Sequence, residues 1–387
     1  MVISKYSESK IGLYIHVPFC IRKCSYCDFF SVPLSSRELL EHYTQAVLAE
    51  IELRALNYSQ KQIETIYIGG GTPSLLSCRQ LEAILQAVYD EFSVAREAEI
   101  SIEANPSVLN VDDIRGFKNA GINRLSLGVQ SFFDEDLKTL RRLHDSSDVM
   151  KTIEDLRSQG LDNFNIDLIY GIPGQSIDRW KKNLEIAVDC APRHISIYLL
   201  QLSPNTPMAR EIANGLIAPL DEEDEWLMYS QGIDYLQENG FKHYEISNFC
   251  RPGFECRHNL IYWQAREYLG IGPGAASFLG ACRFRNKPEM EGYFRSMEAG
   301  AACQVEELEH MSQRELLVDA IILGLRLCEG IDLKVFRNKF NVDINDEYSD
   351  IISSCHSSGI LEFENGRLRL TRKGYFLSNE AFRRFID

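Results

Sequence analysis

The N-terminal half of the chain carries short apolar runs separated by longer stretches with helical spacing. The runs 12–17, 65–68, 99–104, 124–129, 163–169 and 194–202 are rich in Ile, Val, Leu and Tyr and have the length of buried strands. Between them, 37–53, 77–92, 111–119, 147–159 and 177–188 repeat apolar residues every three or four positions, which predicts helices. Asp178 falls in the first turn of the last one, where a carboxylate meets the positive end of the helix dipole. Strands alternating with helices predict an α/β fold with a parallel sheet. A closed eight-stranded barrel takes about 250 residues. Six units in residues 1–203 therefore predict a partial (βα)6, TIM-like barrel, whose functional edge lies at the C-terminal ends of its strands.

The pattern changes after Pro204. Residues 204–304 hold an acidic helical stretch (221–237), a strand-like run (243–249) and a Gly-rich turn, Gly270-Ile-Gly-Pro-Gly274. Residues 305–387 show helical spacing at 313–327 and 348–358, then two short apolar runs flanking Asn365-Gly366, a strong hairpin signal. Helices followed by a small hairpin predict a C-terminal helical, winged-helix-like domain. The expected organisation is a barrel core over 1–203, an extension over 204–304 and this C-terminal domain over 305–387.

Charge narrows the partners. Lys plus Arg number 41 against 56 for Asp plus Glu, a net charge of −15 that argues against nucleic acid and against direct binding to anionic membranes. No apolar run approaches the ~20 residues that span a bilayer. The polar residues 1–10 lack the apolar segment of a secretion signal, so a cytoplasmic protein is expected. The 11 cysteines are odd in number in a long chain without such a signal, which disfavours a disulfide framework and makes any cysteine cluster a candidate metal site.

One such cluster follows the first strand: Cys20-Ile-Arg-Lys-Cys24-Ser-Tyr-Cys27. Three thiolates this close converge only around one object, and soft thiolates suit zinc or iron–sulfur clusters. A complete [4Fe–4S] site or a structural zinc takes four ligands. Three leave one iron open to an exchangeable molecule. A zinc clip completed by His16 or Asp28, or three plain buried cysteines, are the alternatives.

The next strands also end on chemistry. Gly69-Gly70-Gly71-Thr72-Pro73 follows the second strand, and its glycines let backbone N–H groups approach a ligand; no lysine makes it a Walker loop. Glu103 ends the third strand and Gln130 the fourth; Arg142 follows twelve residues later, and Asp167 lies on the fifth. Each alone has an ordinary structural reading. Together at one sheet edge they can hold a zwitterion and a ribose, with Arg142 giving paired contacts to a carboxylate. Further on stands His258-Asn259-Leu-Ile-Tyr262-Trp263. Imidazole is a good axial ligand to heme iron, and the aromatic pair can flank a porphyrin face. On the residues alone, a packed core histidine beside two aromatics is the favoured reading. Cys250 and Cys256 nearby read as ordinary buried thiols before heme attachments.

The x3 and x2 cysteine spacing after a first barrel strand resembles the radical S-adenosylmethionine (SAM) superfamily over nearly the whole chain. The resemblance implies a [4Fe–4S] cluster on Cys20, Cys24 and Cys27, with SAM chelating the open iron. Within the superfamily, the motifs resemble the branch of oxygen-independent coproporphyrinogen III dehydrogenase and its heme-chaperone relatives. That likeness implies SAM contacts at Tyr14, Tyr26, Gly70, Gly71, Thr72, Glu103, Gln130, Arg142 and Asp167. The end of the sixth strand, near Gln201, does not match. Two departures count against porphyrinogen decarboxylation: Phe29 stands where the dehydrogenase has a fourth cysteine, and only 19 residues precede Cys20. The HNxxYW motif is similar to that of the heme chaperones and implies heme binding at His258, with Asn259, Tyr262 and Trp263 beside it; Ser203 departs from the Glu more usual there. The expectation is a heme carrier that delivers to an acceptor protein, a respiratory-chain hemoprotein among the candidates, meeting a membrane only through that acceptor. A second copy of the chain is a further candidate partner. A radical SAM oxidoreductase acting on a porphyrinogen is the open alternative, as is cleavage of SAM itself.

Overall fold

The computed structural model describes residues 9–386, so residues 1–8 of the polar N-terminal stretch lie outside the described residues. Six strands run parallel and adjacent in chain order: β1 (Lys10–Val17), β2 (Gln62–Gly70), β3 (Ser93–Ala104), β4 (Arg124–Gln130), β5 (Phe164–Tyr170) and β6 (His194–Leu199). The helices Arg37–Tyr58, Cys78–Glu91, Val111–Asn119, Ser146–Ser158 and Ile177–Asp189 connect them. Each begins on a side chain that accepts from its first turn: Ser36, Ser77, Asn110, Asp145 and Ser176. Such caps satisfy N–H groups that have no partner within the helix, which fixes where each helix starts. The short helix Asp134–Thr139 was not anticipated, because six residues carry too little periodicity to read.

The middle region extends this sheet at both flanks. β7 (Lys242–Glu245) and β8 (Asn248–Cys250) form an antiparallel pair, and β8 lies antiparallel to β6. The run 243–249 is therefore two strands where one was expected. The chain reverses because the Glu245 carboxylate accepts from Ser247 N–H (3.2 Å) and from the Asn248 amide. At the other flank, β9 (Tyr268–Ile271) runs parallel to β1. β10 (Ala276–Leu279), β11 (Cys282–Asn286) and β12 (Val305–His310) continue antiparallel from it. The result is an open 12-stranded sheet with β12 and β7 at its edges.

The C-terminal part has its own small core, which includes Phe336, Phe340, Ile352, Leu368 and Phe385. β13 (Ile331–Asp332), β14 (Leu361–Glu364) and β15 (Arg367–Leu370) form its sheet. Asn365 (φ +50°) and Gly366 (φ +76°) make the tight turn of its hairpin, as the Asn-Gly pair predicts.

The barrel strands alternate sharply. Ile100, Ile102, Leu125, Leu127, Ile166, Leu168, Ile195 and Ile197 are almost completely buried and join the main core. The intervening residues are polar and face inward, so the barrel is lined rather than filled with apolar side chains.

One buried carboxylate ties the flank of the barrel together. Glu50 accepts from Gly272 N–H (2.7 Å), Asn286 Nδ2 (2.9 Å), Tyr293 Oη (3.0 Å) and Arg54 Nη2 (3.0 Å). It anchors the Gly-rich turn 270–274 to the first helix. Removing it leaves Gly272 N–H and the Tyr293 hydroxyl without a partner and strips the half-buried Arg54 guanidinium of its counter-charge, with only Asn286 Oδ1 left to accept from it. Glu50→Ala should therefore cost about 3–5 kcal/mol of stability, read from chemical denaturation midpoints.

Candidate functional site

A cavity of about 370 Å3 opens at the C-terminal ends of the parallel strands and runs down into the barrel. Cys20, Cys24 and Cys27 line one wall, and all three are free thiols. Their loop is held by local bonds: Leu34 N–H donates to Cys20 O (2.8 Å), Val32 N–H to Pro18 O (2.7 Å) and Lys23 Nζ to Phe29 O (2.8 Å). The Gly-rich turn packs directly against it. Gly70 has φ +119°, a left-handed conformation open to glycine. A Cβ at Gly71 would stand 2.5 Å from Phe19 O and 3.0 Å from Cys20 Sγ. Thr72 Oγ1 lies 3.7 Å from Cys20 Sγ.

Among the described residues, no three His, Cys, Asp or Glu side chains gather closely enough to chelate a single metal ion. The two residues that could complete a zinc clip are engaged elsewhere. His16 sits between Tyr14 Oη (2.9 Å from Nδ1) and Phe30 O (3.0 Å from Nε2), and Asp28 accepts from the Ser203 hydroxyl. Burial pushes the Cys27 thiol up. The Arg142 guanidinium donates to Cys24 Sγ (3.4 Å). Three thiols on the wall of an open cavity, with a cation beside one of them and no fourth protein ligand, fit a cluster held through three of its irons.

The strand-end residues line the same cavity. Glu103 accepts from Tyr67 Oη (2.9 Å) and Gly70 N–H (3.1 Å). Burial raises its pKa to about 7, with a smaller upward push from Asp167. Asp167 accepts from Ser126 Oγ (2.9 Å) and Asn165 Nδ2 (2.7 Å), and burial raises it too. Gln130 has φ +68°, an uncommon backbone for a residue with a side chain, at an irregularity in the β4–β5 pairing. Such strain costs of order 1–3 kcal/mol and is typical of functional positions. Besides Cys24, Arg142 donates to Gly128 O (3.0 Å) and to Asn105 Oδ1.

Of the SAM positions expected from the sequence, Tyr26, Gly70, Gly71, Thr72, Glu103, Gln130, Arg142 and Asp167 all line this one cavity. Tyr14 sits behind it, its ring packed near Tyr67 and His258. Gln201 lines it after all, and so does Phe29, 64% exposed at its mouth. Asn105, Ser126, Asn165, His194 and Ser196 were missed. For all but Asn105, which follows its strand, the signal is the period-two alternation of polar residues within the apolar runs.

The HNxxYW motif occupies the helix Arg257–Trp263, beneath β1 and β2. His258 is 1% exposed, and its ring stacks on Tyr67 (5.2 Å between centroids). Thr65 Oγ1 lies 2.7 Å from Nδ1 and Tyr262 Oη 2.8 Å from Nε2, so both ring nitrogens are used. Burial lowers the pKa to about 3, which keeps the imidazole neutral. Glu99 holds the start of this helix, accepting from Arg257 N–H and His258 N–H (3.1 Å each) and from Cys256 Sγ (3.7 Å). Asn259 reaches the cavity, and the Arg326 guanidinium covers Trp263 at 4.2 Å. Cys250 and Cys256 are fully buried, with thiols pushed up to about 12 by burial.

This fold and site define a radical SAM protein: residues 14–187 match the Radical SAM superfamily and residues 311–377 the HemN C-terminal domain. Coproporphyrinogen III oxidase (HemN) from Escherichia coli superposes with a TM-score of 0.85 over 99% of this chain and 91% of that one, at 22% identity. Curated relatives narrow the class. The heme chaperone HemW of Lactococcus lactis is 35% identical over 96% of each chain. That of Bacillus subtilis is 31% identical over 96% of this chain and 98% of its own. That of Synechocystis is 38% identical over 82% and 78%. The chain belongs to the heme chaperone HemW family.

A pH dependence follows from Glu103. Its carboxyl is protonated below pH about 7 and ionised above it, and only the ionised form would attract a cationic group of SAM held beside it. SAM binding should tighten about tenfold from pH 6 to pH 8 by proton linkage. Calorimetric titration at both pH values, with Glu103→Gln as the variant that lacks this contribution, checks it.

Proposed function

We propose that this chain binds heme and passes it to an acceptor protein, while Cys20, Cys24 and Cys27 hold a [4Fe–4S] cluster at which SAM exchanges. The observation that carries the reading is the HNxxYW motif set on a helix against the barrel that holds the cluster wall, in a chain of the HemW family. The cluster, when bound, supplies an iron with an open coordination position. Gly70, Gly71 and Thr72 would hold the methionine end of SAM, Glu103 its cationic group, and Gln130 and Asp167 the remainder; Arg142 stands beside the Cys24 thiol.

The heme reading sets a physical requirement. His258 spends both ring nitrogens on Thr65 and Tyr262, so ligation to iron requires the helix Arg257–Trp263 to release one of them. Neutral imidazole is the form that binds iron, and burial keeps His258 in it. Phe29, where a fourth cysteine would mark the dehydrogenase, favours carriage over porphyrinogen oxidation.

The test is anaerobic reconstitution with iron, sulfide and SAM, followed by heme titration and an assay with coproporphyrinogen III. Uptake of one heme per chain without conversion of the porphyrinogen is the expected result. Turnover of the porphyrinogen would instead make the chain an oxidoreductase.

A further inference from the structure

The floor of the cavity carries a cation that none of the residues above uses. Arg124 opens β4, at the opposite end of that strand from Gln130. It is 2% exposed and lines the cavity, and its guanidinium makes no hydrogen bond or ion pair with any described residue. Its Nε is buried without a partner, and so is Oδ1 of Asn248, a second lining residue that is 3% exposed. The charges of Glu99 and Asp167 act on it, but neither forms an ion pair with it. Both are already committed, Glu99 to the N–H groups of Arg257 and His258, Asp167 to Ser126 and Asn165.

A buried guanidinium without a hydrogen-bonding partner is expensive to keep, because desolvating a charge costs several kcal/mol that hydrogen bonds to it would otherwise return. A guanidinium also has a preferred guest: its planar fork matches the two oxygens of a carboxylate. The surroundings are polar: Asn165, His194 and Ser196 line the cavity together with Arg124.

We propose that Arg124 anchors a carboxylate-binding subsite on the barrel floor, separate from the rim residues that face the cysteines. The carboxylate comes from a small free acid or from a propionate of a porphyrin.

The experiment uses the reconstituted, SAM-saturated chain, so that the carboxylate of SAM is already in place. In the first arm, thermal unfolding is followed in sodium propionate against sodium chloride of equal ionic strength. In the second, hemin and hemin dimethyl ester are titrated against the protein. A free-acid site raises the wild-type Tm in propionate by about 2–4 °C. A porphyrin-propionate site makes hemin bind about tenfold tighter than its ester, the scale of one charge-assisted pair. In either case Arg124→Met abolishes the response, Arg124→Lys restores part of it, and Arg124→Met leaves the ligand-free Tm unchanged or higher because an uncompensated buried charge is gone. No wild-type response in either arm, or a response that persists in Arg124→Met, overturns the proposal. A large fall in the ligand-free Tm of Arg124→Met likewise overturns it, since that marks a structural cation. The first arm involves no heme, so a chain that fails to bind heme leaves the Arg124 result readable on its own.

Discussion

Replacing His258 by alanine should weaken heme binding at least tenfold and also lower the stability of the ligand-free chain. The first effect is loss of the proposed iron ligand. The second follows from geometry. The imidazole is the partner of two buried hydroxyls, Thr65 Oγ1 at 2.7 Å and Tyr262 Oη at 2.8 Å. Each is left unpaired, at about 1–3 kcal/mol apiece. A second variant separates the two effects. Tyr262→Phe keeps the imidazole and removes the hydroxyl that holds Nε2, so the released state of the helix is more populated. Apparent affinity scales with the competent fraction, and heme should bind Tyr262→Phe at least as tightly as wild type. Heme titrations of both variants, with unfolding midpoints alongside, check the pair. If Tyr262→Phe loses heme as fully as His258→Ala does, the tyrosine itself is part of the ligand set.

Replacing Cys24 by serine should remove the cluster almost completely. Wild-type chain reconstituted anaerobically should carry about four iron and four sulfide, and the variant close to none, because three protein ligands leave no redundancy. Serine keeps the size but not the soft thiolate, and Arg142 then faces a neutral hydroxyl in place of its partner at 3.4 Å. SAM affinity should fall with the cluster, because the iron it would chelate is gone. The fold should survive, since Cys24 lies on a half-exposed loop outside the core clusters. Iron and sulfide analysis with a thermal scan reads both outcomes. Full iron content in Cys24→Ser would shift the ligand set to other residues.

Much of this was legible in the sequence, for reasons particular residues make clear. The strands announced themselves because their outward positions, such as Ile100, Ile102, Leu125 and Leu127, must be apolar to pack under helices. The cysteine loop and the strand ends stood out because unusual residue types were concentrated there. The barrel floor did not stand out. Ser101, Ser126, Asn165 and Ser196 sit between strong hydrophobes, and reading the runs as wholly buried hides the alternation, Arg124 included at the start of its run. The flanking strands were also obscure. β9 pairs with β1, more than 250 residues away in the chain, and nothing local encodes that distance. The split of 243–249 into two strands depends on one carboxylate, Glu245, satisfying the turn that follows it. His258 showed the limit of motif reading: its residues gave a candidate ligand, and its geometry is that of a satisfied core histidine that has to be released before it can act.

Delivery of heme is the most direct test. Reconstituted, SAM-bound chain loaded with one heme is mixed with a hemoprotein stripped of its heme, and the Soret spectrum of each is followed after separation. The expected result is heme on the acceptor, faster than from free hemin buffered at the same concentration, with His258→Ala inactive as donor. A chain that takes up no heme under these conditions, or that donates equally well without His258, would contradict the proposed function.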